Sequence, residues 1–275
     1  MEIKGISAAQ KIKLARMAGR PTAKEYIKYI FDDFIELAGD RLYGEDASII
    51  GGVASFKETS VTVIGQQKGR NLEENLKYRF GMPNPDGYRK AIRLIKQAEK
   101  FKRPIITFVD TPGAYPGKEA EERGAGIAIA QCIAELARVN VPVISVFIGE
   151  GGSGGALALG VCDRMLMLEN AVFSILSPEG FASILWKDAA RWEEACDVMK
   201  MTAEDLYKMG ICDKIIKEPE QGAGVAREYI FDAVSMEIEQ MLSEIKKSGK
   251  NVAEHRYKKL RRVGEELAKN QANVV

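Results

Sequence analysis

The stretch VPVISVFIGEGGSGGALALGVC, residues 141–162, decides how this chain folds. VPVISVFIG (141–149) is a buried-strand run, and ALALGVC (156–162) begins a helix. Between them Gly151-Gly152-Ser153-Gly154-Gly155 makes the turn. A strand that runs through a tight turn into a helix is a building unit of layered α/β folds. The same five residues match the G-x-S-x-G turn on which serine hydrolases mount their nucleophile. The stretch therefore raises a chemical question: does Ser153 react, or do the glycines matter?

The pattern repeats on either side. PIITFVD (104–110) is a second buried strand, and Asp110-Thr111-Pro112-Gly113-Ala114-Tyr115-Pro116-Gly117 breaks straight after it. Upstream, TAKEYIKYIFDDFIELAG (22–39) reads as one amphipathic helix, capped by Thr22 with Glu25 three residues on and ended by Gly39. ASIIGGVASF (47–56) and SVTVIGQQ (60–67) read as strands joined by the polar turn Lys57-Glu58-Thr59. Helices are expected over 88–101 and about 119–139. Downstream, RMLMLE and AVFSIL form a strand pair around Glu169-Asn170, helices run to about 209, and CDKIIKE (212–218) is a short strand. Ile230, Val234, Ile238, Met241 and Ile245 keep helical spacing in a tail expected to be helical over 223–270. The alternation predicts an α/β fold with one domain overall: a helical extension over 1–46, a core over 47–220 and C-terminal helices over 221–275.

Bulk properties narrow the function. With 275 residues, 46% hydrophobic and 29% charged, the chain has the composition of a globular protein. A net charge of +1 gives no whole-chain attraction for nucleic acid or an anionic membrane. The first 21 residues carry lysines and arginines and no apolar core of a signal peptide, and no apolar run reaches the roughly 20 residues of a membrane span. A cytoplasmic location is expected. Cys132, Cys162, Cys196 and Cys212 form no C-x-x-C pair, which argues against a zinc ribbon and for buried, inert thiols.

Three chemical readings of the glycine turn compete with one of pure packing. A Ser153 nucleophile needs a base, and His255 is the only histidine. It lies in AEHRYKKLRR, a charge density that marks a solvated face. Phosphate binding is weakly supported, because neither G-x-G-x-x-G nor a Gly-Lys-Ser/Thr ending is present. The third reading is favoured: with no Cβ atoms in the way, backbone N–H groups at the helix start face a ligand and form an oxyanion hole. If strands 104–110 and 141–149 are neighbours, the two glycine turns line one pocket, with Tyr115 as an aromatic wall or as core.

With these residues assembled, the chain resembles the alpha subunits of bacterial acetyl-CoA carboxylase carboxyltransferases. The likeness rests on FDDFIELAGDR (31–41), GQQKGR (65–70), FGMPNPDGYRKA (80–91), PIITFVDTPGAYPG (104–117), EERGAG (121–126), IGEGGSGGALALG (148–160) and SPEGFASILWKDA (177–189). It implies a crotonase-type spiral of ββα units and transfer of a carboxyl group from carboxybiotin, held on a biotin carboxyl carrier protein, to acetyl-CoA. The product is malonyl-CoA for fatty acid synthesis. The resemblance further implies an α2β2 assembly whose beta subunit carries the zinc and most of the acetyl-CoA site, with no metal in this chain. By motif, the N–H groups of Gly154 and Gly155, or of a pair shifted to Ala156, stabilise the biotin oxyanion. Gly113, Ala114, Tyr115, Gly152 and Ser153 line the pocket. The alternative is a stand-alone crotonase-like hydratase or decarboxylase using Glu150 or Glu179 as base. Lys68, Arg70 and the basic HRYKKLRR segment receive no firm role, the last being read as a solvated face.

Overall fold

The computed structural model describes residues 6–249 and 251–263. Two helices, α1 (Ala8–Ala15) and α2 (Ala23–Ile30), precede strand β1 (Asp32–Glu36). The hairpin β2 (Ile49–Phe56) and β3 (Thr59–Gln66) leads through α3 (Leu72–Lys77) and α4 (Pro85–Lys100) to β4 (Ile105–Thr111). After α5 (Lys118–Glu122) and α6 (Ala125–Arg138) come β5 (Val143–Gly152), α7 (Ser153–Gly160), β6 (Arg164–Leu168) and β7 (Val172–Ser174). The chain then passes through α8 (Pro178–Trp186), α9 (Trp192–Met199), α10 (Ala203–Lys208) and β8 (Lys214–Ile216) to α11 (Arg227–Ser248) and α12 (Val252–Arg262).

The strands form one mixed sheet in the order β1-β2-β3-β4-β5-β6-β8, with β7 also paired to β5. From β3 onward every pairing is parallel. Each strand on the main path lies beside its predecessor or one removed, so the chain winds across the sheet in a single direction. Right-handed crossovers of constant direction put their helices on one face. The glycines of the hairpin report both faces. A Cβ on Gly51 would meet Leu94 of α4 at 2.5 Å, and one on Gly65 would meet Ala23 of α2 at 2.7 Å. On the α2 side, Tyr26 stacks on Phe108 of β4 with ring centroids 5.4 Å apart and meets Phe231 of α11 edge-on at 4.7 Å. One apolar core therefore runs from Ala23 to Ile245.

Several elements match the expectations closely. Both hairpin strands and the buried strands β4 and β5 are present, with a two-residue turn at Lys57-Glu58 in which Lys57 takes φ +53°. Ile230, Val234, Ile238, Met241 and Ile245 are the buried stripe of α11. All four cysteines are free and buried, and burial pushes the Cys212 thiol up to about 12. Among the described residues no helix is long and apolar enough to cross a membrane, and no group of three or more His, Cys, Asp or Glu side chains is arranged to hold a metal ion.

Four expectations need correction. The helix expected over 22–39 ends at Ile30, and Phe31 turns extended so that β1 pairs antiparallel with β2. The stretch before residue 46 is thus not wholly helical. β1 is an edge strand whose Ile35 is exposed, and Phe31 and Phe34 imitate helical spacing. The helix expected over 119–139 is broken at Gly124, where φ is +81°. β6 and β7 are not a hairpin: both lie parallel to β5, β6 along Ile144–Phe147 and β7 along Glu150–Gly152. The basic C-terminal segment is only partly a solvated face, because Arg256 is wholly buried and Lys259 bonds the Asp163 carbonyl at 3.2 Å. Residues 264–270 of the expected tail lie outside the described residues.

Candidate active site

β4 and β5 are parallel neighbours, so their turns meet at the C-terminal ends of the strands. The contact is backbone against backbone. A Cβ on Gly152 would lie 2.1 Å from the Pro112 carbonyl oxygen, and one on Gly155 would lie 2.6 Å from Ala114 N and 3.0 Å from the Tyr88 hydroxyl. Both glycines are therefore needed for the two turns to approach. Gly154 is different, since only Ile129 Cγ2, at 3.4 Å, lies within reach of an added Cβ. Gly113 sits at φ +148° with open space beside it. Tyr115 is half-buried and its N–H donates to the Pro83 carbonyl at 3.0 Å, which makes it a wall of the turn and not part of the core.

α7 starts on this wall. Its N-cap is Gly152, and no side chain caps it. The N–H groups of Ser153, Gly154 and Gly155 consequently have no acceptor within the helix, whereas the Ala156 N–H takes the Gly152 carbonyl. These donors stand at the positive end of the helix dipole. Packing and the candidate chemistry share one place here: the glycines that let the turns touch lie at the uncapped start of α7. Gln66 braces it from below, donating from Nε2 to the Gly155 carbonyl at 2.8 Å and accepting from Asp110 N at 3.2 Å.

Ser153 is exposed and takes φ +51°, so the turn does have the bent geometry of a nucleophile elbow. What it lacks, among the described residues, is a histidine base. His255 is on α12, whose Arg256 is bonded to the carbonyls just before β5. Ser153 follows the other end of that strand, and ten residues of parallel strand span about 30 Å.

A charged cluster surrounds Glu150, the residue just before the glycines. Lys68 Nζ lies 2.7 Å from Asp110 Oδ1 and 2.9 Å from Glu150 Oε2. Asp110 Oδ1 also accepts the Glu150 N–H at 2.9 Å. On the far side Arg16 donates from Nε to Glu150 Oε1 at 2.7 Å and from Nη1 to Glu179 Oε1 at 2.6 Å. Burial pushes the Glu150 carboxyl up, but Lys68 and Arg16 outweigh it and hold it below the ordinary carboxylate range. Glu179 is also held low: burial raises it, and hydrogen bonds from Arg16, the helix backbone and Ser177, together with the Arg16 charge, outweigh this. For Lys68, burial works against the charge while Asp110 and Glu150 raise the ammonium above its usual value. Each Glu150 oxygen is occupied and the group is a poor proton acceptor, which removes the main support for a hydratase-type base.

The structure thus packs Gly113 and Ala114 against Gly152 and Gly155, with Ser153 and Gly154 in the same turn. It sets the ion pairs of Lys68, Glu150 and Glu179 beside that turn, while Tyr115 packs on Gly117. Arg70 belongs elsewhere, paired with Glu25 of α2. Arg16, Gln66 and Asp110 received no role from the sequence. Gln66 and Asp110 stand inside the quoted motifs, but Arg16 reaches Glu150 across 134 positions, and no local pattern marks such a partner.

The fold defines a class. The Pseudomonas malonate decarboxylase hetero-tetramer solved with coenzyme A superposes with a TM-score of 0.67 at 16% identity, over 84% of this chain and 92% of that one. The architecture is that of the crotonase-like carboxyltransferases. Within that class the chain belongs to the acetyl-CoA carboxylase carboxyltransferase alpha-subunit family. The profile described as "Acetyl co-enzyme A carboxylase carboxyltransferase-like" matches residues 2–264. The acetyl-coenzyme A carboxylase carboxyl transferase subunit alpha of Clostridium acetobutylicum is 57% identical over 93% of both chains. A Natranaerobius thermophilus protein named as subunits beta/alpha is 53% identical over 97% of this chain and 44% of its own length. The chain is a carboxyltransferase subunit, part of an enzyme.

Proposed function

We propose that this chain works with a separate beta subunit, in an α2β2 assembly, to move a carboxyl group from carboxybiotin on a carrier protein to acetyl-CoA. The product, malonyl-CoA, feeds fatty acid synthesis in the cytoplasm. The observation that carries the reading is the uncapped start of α7, at Gly154 and Gly155, packed against the 112–114 turn. The relative in which beta and alpha are one polypeptide supports the partnership. Zinc and most of the acetyl-CoA site are assigned to that partner.

A ureido group fits such a mouth, because its oxygen is planar, small and an acceptor only. Biotin supplies a carboxyl group on nitrogen and, once freed of it, a basic site. What this chain contributes is placement and charge stabilisation. Gly154 and Gly155 N–H donate to the oxygen as negative charge develops there, and the Ala156 N–H, taken by the helix, does not. Gly113, Ala114 and Tyr115 form the opposite wall, Gly152 sets its depth and Ser153 is a spacer at the rim. With Glu150 and Glu179 held ionised in ion pairs, no side chain of this mouth is assigned a proton to move.

The test is malonyl-CoA-dependent carboxylation of biocytin by this chain, by a zinc-bearing beta subunit and by the mixture. Activity in the mixture alone is expected. Turnover by this chain alone would mean a complete pocket within it and would defeat the split-site reading.

A further inference from the structure

Residues 7–20 lie before the main core, yet they grip the strand that ends in the glycine turn. Arg20 donates from Nε to the Ile148 carbonyl and holds Glu218 through both terminal nitrogens. Arg16, four residues earlier, holds Glu150. Two arginines of one short segment thus fasten β5 at positions 148 and 150, immediately before Gly151. The segment is itself anchored. Ser7 and Gln10 form a capping box for α1, Lys11 reaches the Glu169 carbonyl at 3.2 Å and Glu204 at 2.5 Å, and Ala9, Ile12 and Ala15 pack with Val172, Cys196 and Met201 in a cluster apart from the main core.

Arg16 also leaves β5 altogether, because its second arm takes Glu179 in the first turn of α8. One planar, permanently charged fork therefore spans two carboxylates on two elements, which an ammonium cannot do with the same geometry. Burial works against the Arg16 charge, and its hydrogen bonds and charge pairing with Glu179 and Glu150 more than restore it. Glu150 is further fixed by Lys68 on its other oxygen and by Asp110 on its N–H, so a pull on Glu150 is a pull on the backbone that leads into Gly151.

We propose that Arg16 is a positioning residue of the carboxyltransferase site: its bridge from Glu150 to Glu179 sets the direction of the Gly154 and Gly155 N–H groups and the separation of α7 from α8. It rests on the reading of that turn as the oxyanion hole, and Arg16 itself touches no substrate. The sequence, which treats residues 1–46 as an extension, gives no hint of this.

The experiment uses the assembled wild-type, Arg16→Ala, Arg16→Lys, Glu179→Gln and Arg16→Ala/Glu179→Gln proteins with the beta partner, measuring kcat and KM separately for biocytin carboxylation. Displacing donors by a fraction of an ångström to 1 Å is expected to lower kcat about 10- to 100-fold in Arg16→Ala with KM for malonyl-CoA unchanged. Arg16→Lys recovers part of the loss, and adding Glu179→Gln to Arg16→Ala lowers kcat no further. Wild-type kcat in Arg16→Ala, or independent multiplication of the two effects, would overturn the proposal. Should Arg16→Ala fail to assemble, Glu179→Gln reads the same link: reduced kcat supports it and wild-type kcat overturns it. An inactive wild-type mixture would instead sink the reading of the turn, and the role of Arg16 with it.

Discussion

The two ends of strand β5 are both held by an arginine and a carboxylate, and they use them in opposite ways. At the N-terminal end Arg256, wholly buried, donates to the carbonyls of Leu136 at 2.6 Å, Val139 at 2.8 Å and Val141 at 2.9 Å. It also meets Asp163 Oδ2 at 2.7 Å, and that oxygen accepts the Val143 N–H at the same distance. Charge is consumed there in satisfying backbone. At the C-terminal end Arg16, Lys68, Asp110 and Glu150 largely satisfy one another, while no side chain caps the start of α7 next to them. One end closes its main chain and holds the fold. The other closes its side chains beside an uncapped helix start, where the proposed oxyanion hole lies.

The sharpest way to break this contrast is to remove Arg256. Arg256→Ala leaves Asp163 buried without its partner and three carbonyls without a donor, and loss of one member of a buried pair costs about 3–5 kcal/mol. The urea midpoint is expected to fall accordingly, while carboxyl transfer per folded molecule stays at the wild-type level. A large loss of turnover with unchanged stability would show that the far end also serves the reaction.

The glycines test the other end. Gly155→Ala pushes a methyl group against Ala114 N and Gly113 C, so the turns must part and the donors turn away. Losing one oxyanion donor costs about 10²–10³ in rate, and that fall in biocytin carboxylation is expected. Gly154→Ala meets only the tip of Ile129 and keeps its N–H, so activity within about threefold of wild type is expected. Equal effects of the two substitutions would mean that the turn needs glycine for packing only.

Acid provides a milder perturbation of the same end. Glu150 and Glu179 are both held below their ordinary value of 4.5, so their contribution to stability is complete above that pH and is lost as pH falls through the lowered values. The urea midpoint is expected to be flat with respect to these groups near neutrality and to drop only below about 4.5. In Arg16→Ala this acid-dependent loss should shrink, since Glu179 gives up the partner that lowers it and its folded and unfolded values draw together.

How much of this was legible follows from the range of each interaction. Strands β2 to β5 announce themselves by apolar runs, and the glycine turns by composition, because both signals are local. β1 escapes because Phe31-Asp32-Asp33-Phe34 spaces its aromatics like a helix, and the pairing that makes it a strand lies about 20 residues away, on β2. β6 and β7 look like a hairpin because only the partner strand reveals that both lie along β5. The mouth itself could be assembled from its motifs. Its supports could not: Arg16 reads as one more base in a basic stretch, and Arg256 as one more charge on a solvated face, until the chain folds back over more than ninety positions to meet Asp163.

The smallest expected effect bears on the serine that first attracted notice. Ser153 takes φ +51°, a conformation that costs a non-glycine residue roughly 1 kcal/mol. Its side chain is exposed, so replacement leaves no cavity. Ser153→Gly removes the strain and the hydroxyl together, at the price of some chain entropy in the unfolded state. A stability gain of about 0.5 kcal/mol is expected by urea melting, with turnover within about twofold of wild type. A nucleophile would behave otherwise, because no residue at that position can then attack and carboxyl transfer would vanish from a protein that is, if anything, better folded. The strained elbow would then be a stored catalytic feature. On the proposed reading, it is the bend that lets Gly154 and Gly155 present their N–H groups, and glycine makes that bend at least as well as serine.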